Sequence, residues 1–422
     1  MKSAKRFRMV ALPVLAMLLA GAPVYAQSDT ARIDELERQA AMMAEQLAEL
    51  RAELEVARKE ESSAGMHSMR EETVAARQSA QRAEQAASEW RNTTAVTHLA
   101  GYASADYISP ENGEAAFVAN FNPMFHYQYG DKLLWEAELE IEVEENGDTS
   151  IGLEYSTIDW FLNDSMILIA GKFLSPLGNF RQNMHPSWIN KLPSAPPGFG
   201  HDGAAPLAEV GLQLRGGRNF GDQSKFTYAG YVGNGPKLEG EDGEIHAIEA
   251  EGFAGNPDDE FVYGGRVSFL PIPKLEIGVS GAFGDVAVVE NDGLDISGDP
   301  TRDYTVFGYD ASYQIGNFDL RGEFISQEVD EQAASIAPEG GKWETWYVQG
   351  SYKFADAKWE GVLRYTDFKS PHADDTQEQF AAGLNYLITP SAMLKFAYES
   401  NDGLAGEVTD DDRLLVQIAY GY

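Results

Sequence analysis

The sequence predicts an all-β transmembrane barrel, 16-stranded, antiparallel and up-and-down, preceded by an α-helical coiled coil. Three observations predict it. Residues after Thr94 alternate between apolar and polar with a period of two, segment after segment. The connections between those segments alternate between tight turns and long loops. Ahead of them, Ala31 to Trp90 contains no proline and only one glycine, Gly65.

The chain opens with Lys2, Lys5, Arg6 and Arg8, then an apolar run from Met9 to Leu19, then Val24-Tyr25-Ala26. That is the layout of a secretory signal peptide, with cleavage expected after Ala26. The other reading is an uncleaved anchor helix, which the short run broken by Pro13 disfavours. The expected division is residues 1–26 signal peptide, 27–94 periplasmic coiled coil and linker, and 95–422 outer-membrane barrel.

Ile33, Leu36, Ala40, Met43, Leu47, Leu50, Leu54 and Ala57 follow one another in steps of three and four. Such an a/d seam predicts a left-handed coiled coil. Ser62 to Gly65 breaks the phase, and a thinner, alanine-rich seam runs from Met66 to Trp90. A single apolar stripe needs a partner, and a second copy of the same chain is the economical one. A lone helix on the barrel, or a spacer, is the alternative.

Period-two alternation is sharpest where Leu133, Trp135, Ala137, Leu139, Ile141 and Val143 take one face and Glu136, Glu138, Glu140, Glu142 and Glu144 the other. One apolar and one polar face fits a soluble sandwich or a membrane barrel. Segments of ten or more residues, aromatic pairs at their ends (Tyr127/Tyr129, Trp160/Phe161, Tyr420/Tyr422) and the two classes of connection favour the barrel. No segment reaches the ~18 continuous apolar residues of a spanning helix beyond the leader. Strands are expected to start near Val96, Ala115, Lys132, Thr149, Ser165, Glu209, Lys225, Glu260, Lys274, Asp303, Asn317, Lys342, Ala357, Gln377, Ser391 and Asp412. Tight turns include Gly130-Asp131, Asn163-Asp164 and Thr389-Pro390; the long connections include 174–208, 233–259 and 285–302. An even strand count puts both barrel ends at the short-turn rim, so the coiled coil is expected on the periplasmic side.

Charge narrows the function classes. Asp and Glu number 67 against 32 Lys and Arg, and losing the four leader cations takes the net charge from −35 to −39. Nucleic-acid phosphates would repel such a chain. There are no cysteines, no Gly-x-Ser-x-Gly and no His-Glu-x-x-His, so no enzyme, metal or cofactor is indicated.

The function expected is passive diffusion of small hydrophilic solutes through a water-filled lumen. Its candidate acidic lining is Glu136, Glu138, Glu140, Glu142 and Glu144, joined by Glu154 on the next strand. Candidate basic residues are Lys172, Arg215, Arg266, Arg321, Lys353, Arg364 and Lys395 at inward parities, with Arg181 and Lys191 in the 174–208 loop. An acidic wall facing a basic one would create a transverse field; the alternative is that these charges only keep the lumen wet. Phe180, Trp188, Ile189 and Phe199 make the 174–208 loop a candidate to fold inward and narrow the pore. A flap on a neighbouring subunit is the other reading. The nine acidic residues of 233–260 are a candidate divalent-cation site near lipopolysaccharide, or simply a solvated face.

The segment Gly171-Lys172-Phe173-Leu174-Ser175-Pro176-Leu177-Gly178, leading into that loop, resembles the Gly-basic-x-x-x-Pro-aromatic/Leu-Gly segment of the bacterial phosphate-selective porins of the O and P type. The ending Ile418, Tyr420, Tyr422 resembles the signal read by the barrel assembly machinery, with tyrosine where phenylalanine is usual. The heptads resemble those of some trimeric sugar porins. The resemblance covers about Val96 to Tyr422 and implies an outer-membrane homotrimer, one pore per subunit, constricted by the third loop. It also implies a basic, anion-selective pore, which the glutamate ladder contradicts, so phosphate is not carried over as the solute. A substrate-specific channel and a purely structural anchor remain as rivals.

Overall fold

The computed structural model describes Arg38, Ala41, Met42, Glu45 and Ala48, and residues 95–422 apart from 144–146, 201–202, 222, 355–357, 373–375 and 404–410. The chain divides into two units, Met1–Glu89 and Trp90–Tyr422. In the first, the five described residues are helical. The signal peptide, every residue of both heptad seams and Glu144 lie outside the described residues.

The second unit is a closed barrel of antiparallel strands. Its first seven are β1 (Ala95–Pro110), β2 (Ala116–Tyr129), β3 (Leu133–Val143), β4 (Thr149–Asn163), β5 (Met166–Leu174), β6 (Ala208–Phe220) and β7 (Ser224–Gly233). Two short strands, β8 (Lys237–Glu241) and β9 (Glu244–Glu249), stand outside the barrel order, which continues with β10 (Val262–Ile272) and β11 (Leu275–Val286). After β12 (Val288–Asn291) and β13 (Leu294–Asp295) it resumes with β14 (Arg302–Ile315), β15 (Phe318–Val329), β16 (Gly341–Lys353), β17 (Trp359–Lys369), β18 (Gln377–Thr389), β19 (Ala392–Gly403) and β20 (Arg413–Gly421). β1 pairs with β20, so the sheet has no edge left to satisfy. Sixteen strands form the barrel, as the alternation predicts.

Every barrel strand begins within two residues of its expected start. Short turns such as 130–132, 164–165 and 390–391 share one rim with both barrel ends; the long connections share the other. Gly130 and Gly316 occupy φ of +63° and +59° in two of those turns, a region where a side chain is strained.

Side-chain alternation sets inside from outside. In β14 the residues from Arg302 to Ala311 alternate strictly between buried and exposed. The exposed set is apolar: Phe117, Ile151, Ile158, Phe283 and Phe307 are each more than half exposed. A belt of this kind is not stable against water and is stable against lipid. Aromatic rings border it near both rims, with Tyr129, Trp160, Phe318, Trp359 and Tyr420 by the short turns and Phe117, Tyr263, Phe307 and Tyr398 by the long loops. Phe318 packs on Tyr352 and Trp359 on Tyr386, centroids 4.5 and 4.9 Å apart.

The interior is not uniformly polar. Leu177, Phe180 and Phe199 of the 175–207 connection form one buried cluster with Ile325, Tyr347 and Phe368, which sit at inward parities on β15, β16 and β17. Each such side chain removed from water contributes roughly 1.5–3 kcal/mol. Leu238, Ile245 and Val288 join the same cluster from a separate four-stranded sheet of order β13-β12-β8-β9. That sheet is what the acidic 233–260 segment and the 287–301 connection build together, through parallel pairing of β8 with β12. Among the described residues, no group of three or more His, Asp or Glu is placed to hold a metal ion there.

Candidate functional site

The acidic ladder of β3 faces inward. Ala137 and Glu138 are buried, Glu136 and Glu140 half-buried, and Glu142 exposed. Between Glu138 and Leu139 the register slips, because Glu138 pairs with Tyr155 while Leu139 pairs with Leu153. Glu154 is the extra residue of that bulge. A bulge re-aims side chains. Here it turns both Glu154 and Tyr155 toward the interior, where Glu154 is buried and Tyr155 lines a cavity. Glu154 thus joins the ladder.

The connection from β5 to β6 crosses this interior. It turns inward at Gly178, at φ +75°, where a Cβ would lie 1.8 Å from Glu323 Oε1. Only glycine lets the backbone approach that carboxylate so closely. The Asn179 and Phe180 amides then donate to the Glu323 oxygens at 3.0 and 2.9 Å. Gly178 N–H donates to Ser280 Oγ at 3.1 Å. A single helical turn, α1 (Phe180–Asn183), follows. From it the Arg181 guanidinium donates to the Glu154 carboxylate on the opposite wall.

Further along, the wall holds the loop rather than the reverse. Arg321 donates to Met184 Sδ at 3.4 Å. Lys395 donates to the Ser187 and Leu192 carbonyls at 2.5 and 3.3 Å. Asn385 donates to the Lys191 carbonyl at 2.9 Å. Arg364 donates to the Ser194 and Ala195 carbonyls at 3.0 and 3.1 Å. Thr345 Oγ1 donates to the Pro197 carbonyl at 2.7 Å. In the other direction Lys191 donates to Glu360, and the Ser194 hydroxyl to Glu399. β4, β11 and every strand from β15 to β19 take part, so backbone groups of a long loop find partners they would otherwise seek in water.

This fixes the state of each candidate charge. Arg181 sits on Glu154 and Lys191 on Glu360. Arg266 is held by Asp310 at 2.6 Å and Glu276 at 2.9 Å. Arg321, eight barrel strands from β3, pairs with Asp319 at 2.8 Å. Arg364 lies 3.8 Å from Glu399, which Arg413 also reaches at 2.7 Å. Lys395 is fully buried beneath the loop, and Lys353 is exposed at the end of β16. Lys172 is half-buried on β5, and its pairing with Ser156 and Val210 puts it on the outward face of the sheet rather than at the inward parity expected, because Ile169, Gly171 and Phe173 take the inward positions of that strand. Arg215 is exposed on β6, near Glu136 and Asp159 but in no ion pair among the described residues.

The glutamates of β3 are otherwise. Among the described residues Glu136 has His126 at 3.6 Å, with Arg215 farther off. Glu140 stands against Glu154 and Glu142. Glu138 is fully buried and neither of its oxygens accepts a hydrogen bond of ordinary geometry, although the phenols of Tyr102 and Tyr155 stand beside it. Arg181, Lys191, Arg266, Arg321 and Arg364 are thus matched by carboxylates, while Glu138, Glu140 and Glu142 have no basic group within ion-pair distance among the described residues.

A cavity of about 670 Å³ remains between the loop and β1 to β6. Glu136, Glu138, Tyr155 and Arg215 line it from the wall and Gln182, His185 and Trp188 from the loop. Burial, then the neighbouring Arg181 guanidinium, pushes the His185 imidazole down to about 4. Its Nδ1 faces the Arg181 carbonyl, so that nitrogen carries the proton. Sequence reasoning identified the loop, but not Ser280, Glu323, Thr345, Glu360 or Asn385 as its anchors. The one visible signal was apolar residues such as Ile325, Tyr347 and Phe368 at inward positions of polar-lined strands.

No family model and no curated protein matches the sequence. Solved structures do match. A loop-deletion form of OmpT, an outer membrane protein of Vibrio cholerae, superposes with TM-score 0.52 and 14% identity, over 78% of this chain and 100% of that one. An anion-selective porin from Comamonas acidovorans gives TM-score 0.52 and 16% identity, over 78% and 100%. The outer membrane channel DcaP of Acinetobacter baumannii gives 0.52 and 11%, over 78% and 98%. At these identities the likeness establishes the fold, which is the 16-stranded barrel of outer-membrane porins.

Proposed function

We propose that this chain is an outer-membrane porin, a water-filled channel for passive diffusion of small hydrophilic solutes and ions. Its pore is narrowed by the 174–208 loop and weakly prefers cations. The observation that carries the reading is the asymmetry of the lumen. A closed, lipid-belted barrel holds a loop across its interior, most of the inward basic residues are paired with carboxylates or bound to that loop, and among the described residues Glu138, Glu140 and Glu142 have no basic group within ion-pair distance. A lumen surplus of one sign raises the local concentration of the opposite ion. The proposed assembly is a homotrimer, supported by the heptads and the porin fold. The coiled coil would lie in the periplasm, the barrel would contact lipid and lipopolysaccharide, and the barrel assembly machinery would insert it.

The test is reversal potential across a planar bilayer under a salt gradient, with the mature protein. Cation-side reversal, abolished by replacing Glu138, Glu140 and Glu142 with Gln, is expected. A second reading is a substrate-specific channel for phosphate or another anion, a sugar or an organic acid. Arg215, on the cavity wall and in no ion pair among the described residues, is the feature that favours anions. Anion-side reversal, or saturable block by one such solute, would favour it. No current, even with the loop deleted, would leave the barrel as a structural anchor.

A further inference from the structure

The chamber between the loop and β1 to β6 has a chemistry that passive diffusion does not require. Its wall carries Glu138, 0% exposed, with both carboxylate oxygens lacking a hydrogen bond of ordinary geometry. The phenols of Tyr102 and Tyr155 are beside it, but no cation is within ion-pair distance among the described residues, and a bound cation would relieve the burial of its charge. Arg215 lines the same chamber, but Glu136 and Asp159 face it, so its charge is already balanced. Glu138 is the surplus. Around it the chamber is largely apolar and aromatic, from Phe173, Ile169 and Met124 on the wall to Trp188 and Ile189 on the loop. Trp188 is braced against Gly421, where a Cβ would fall 2.7 Å from the indole.

We propose that this chamber is a subsite for an organic ammonium ion carried on an apolar body, with Glu138 as its counter-ion and Trp188 as part of its apolar seat. The inference rests on the channel reading above. A bare metal ion fits the chamber poorly. About 670 Å³ is the size of a pocket for a small organic molecule, and no metal-binding group of acids or histidines is assembled among the described residues. An ammonium donates up to three hydrogen bonds, to Glu138 and to acceptors such as Gln182 Oε1, while the aromatic faces attract its charge. A free acid finds no such match, since Glu138 would repel it.

The experiment is single-channel recording of the full mature protein in symmetric potassium chloride, with phenethylamine, phenylacetate or methylammonium added on the short-turn side. Phenethylamine should produce resolvable current blocks. Phenylacetate, of similar shape and opposite charge, should not, and methylammonium, with the charge but no apolar body, should block far more weakly. Glu138→Gln keeps the shape and removes the charge. It should shorten the blocks by roughly tenfold or more, the loss of one charge-assisted contact. Glu378→Gln, at an outward position of β18, should leave them unchanged. Equal block by phenylacetate, or blocks indifferent to Glu138→Gln, would overturn the subsite. If Glu138→Gln fails to assemble, Trp188→Ala tests the apolar half, and unchanged phenethylamine blocks would overturn the proposal there. A protein that conducts but shows no amine block sinks only the subsite, whereas one that never conducts sinks the channel itself.

Discussion

Lys191 reaches from the inward loop to both carboxylate oxygens of Glu360 on β17, at 2.9 and 3.0 Å. Both side chains are mostly withdrawn from water, 19% and 4% exposed, so the pair is little screened by salt.

Lys191→Ala should therefore cost more than a surface pair would. It strands a buried carboxylate that retains, among the described residues, the Ser351 hydroxyl 3.2 Å away. A loss of roughly 3 kcal/mol in loop docking is expected. Thermal unfolding of the detergent-solubilised barrel, read beside single-channel conductance, checks it. Conductance should rise while the barrel stays folded. The double change Lys191→Ala with Glu360→Ala should lose less than the single one, and a larger loss would refute the buried-charge argument.

Arg181→Ala removes the guanidinium that pairs with Glu154 among the described residues. The ladder then gains an unneutralised charge, so the reversal potential should move further to the cation side. Arg181→Ala combined with Glu154→Gln should move it back. A reversal potential insensitive to Arg181 would mean that the loop does not sit in the ion path.

Acidification should loosen the loop through His185. Its imidazole is held near 4 in the docked loop against 6.5 in water. Between those values the released loop takes up a proton that the docked loop refuses. Docking is thus fully favoured above about 6.5, weakens as pH falls, and levels off below about 4. Channel conductance recorded across that window should rise on acidification, and His185→Gln should flatten the curve. A wild-type curve already flat there would remove His185 from the account.

Gly178→Ala places a methyl group at φ +75° and against the Glu323 carboxylate. The expected cost is about 1–3 kcal/mol, localised to the loop. Limited proteolysis should then cut between residues 179 and 207 in the variant and spare the parent. Equal protection in both would show that the approach to Glu323 is not tight.

The barrel was legible in the sequence because its signals are local. Period-two alternation and turn residues place Thr149 and Gln377 at their strand starts without error, and even Glu260 and Ala357 fall only two residues short of Val262 and Trp359. The sheet of β8, β9, β12 and β13 was not legible. Lys237–Glu241 pairs in parallel with Val288–Asn291, about fifty residues on, and no short-range pattern encodes that choice of partner. The anchors of the loop share this blindness. Inward Thr345 or Asn385 reads as ordinary pore lining until Pro197 and Lys191 are known to lie opposite. The bulge that turns both Glu154 and Tyr155 inward leaves no mark on the alternation.

The separation in sequence between the loop and its anchors also orders the assembly of the molecule in time. Each tight turn joins neighbouring strands, so those hairpins close cheaply and early. Gly178 meets Ser280 across 102 residues, and Ser187 meets Lys395 across 208. The loop cannot be seated until the second half of the wall exists, and a wall already sealed would leave it only the open mouth to enter by. Sealing β1 against β20 and seating the loop are then competing late events, and a weakened anchor is expected to trap chains half-built before it weakens the finished barrel.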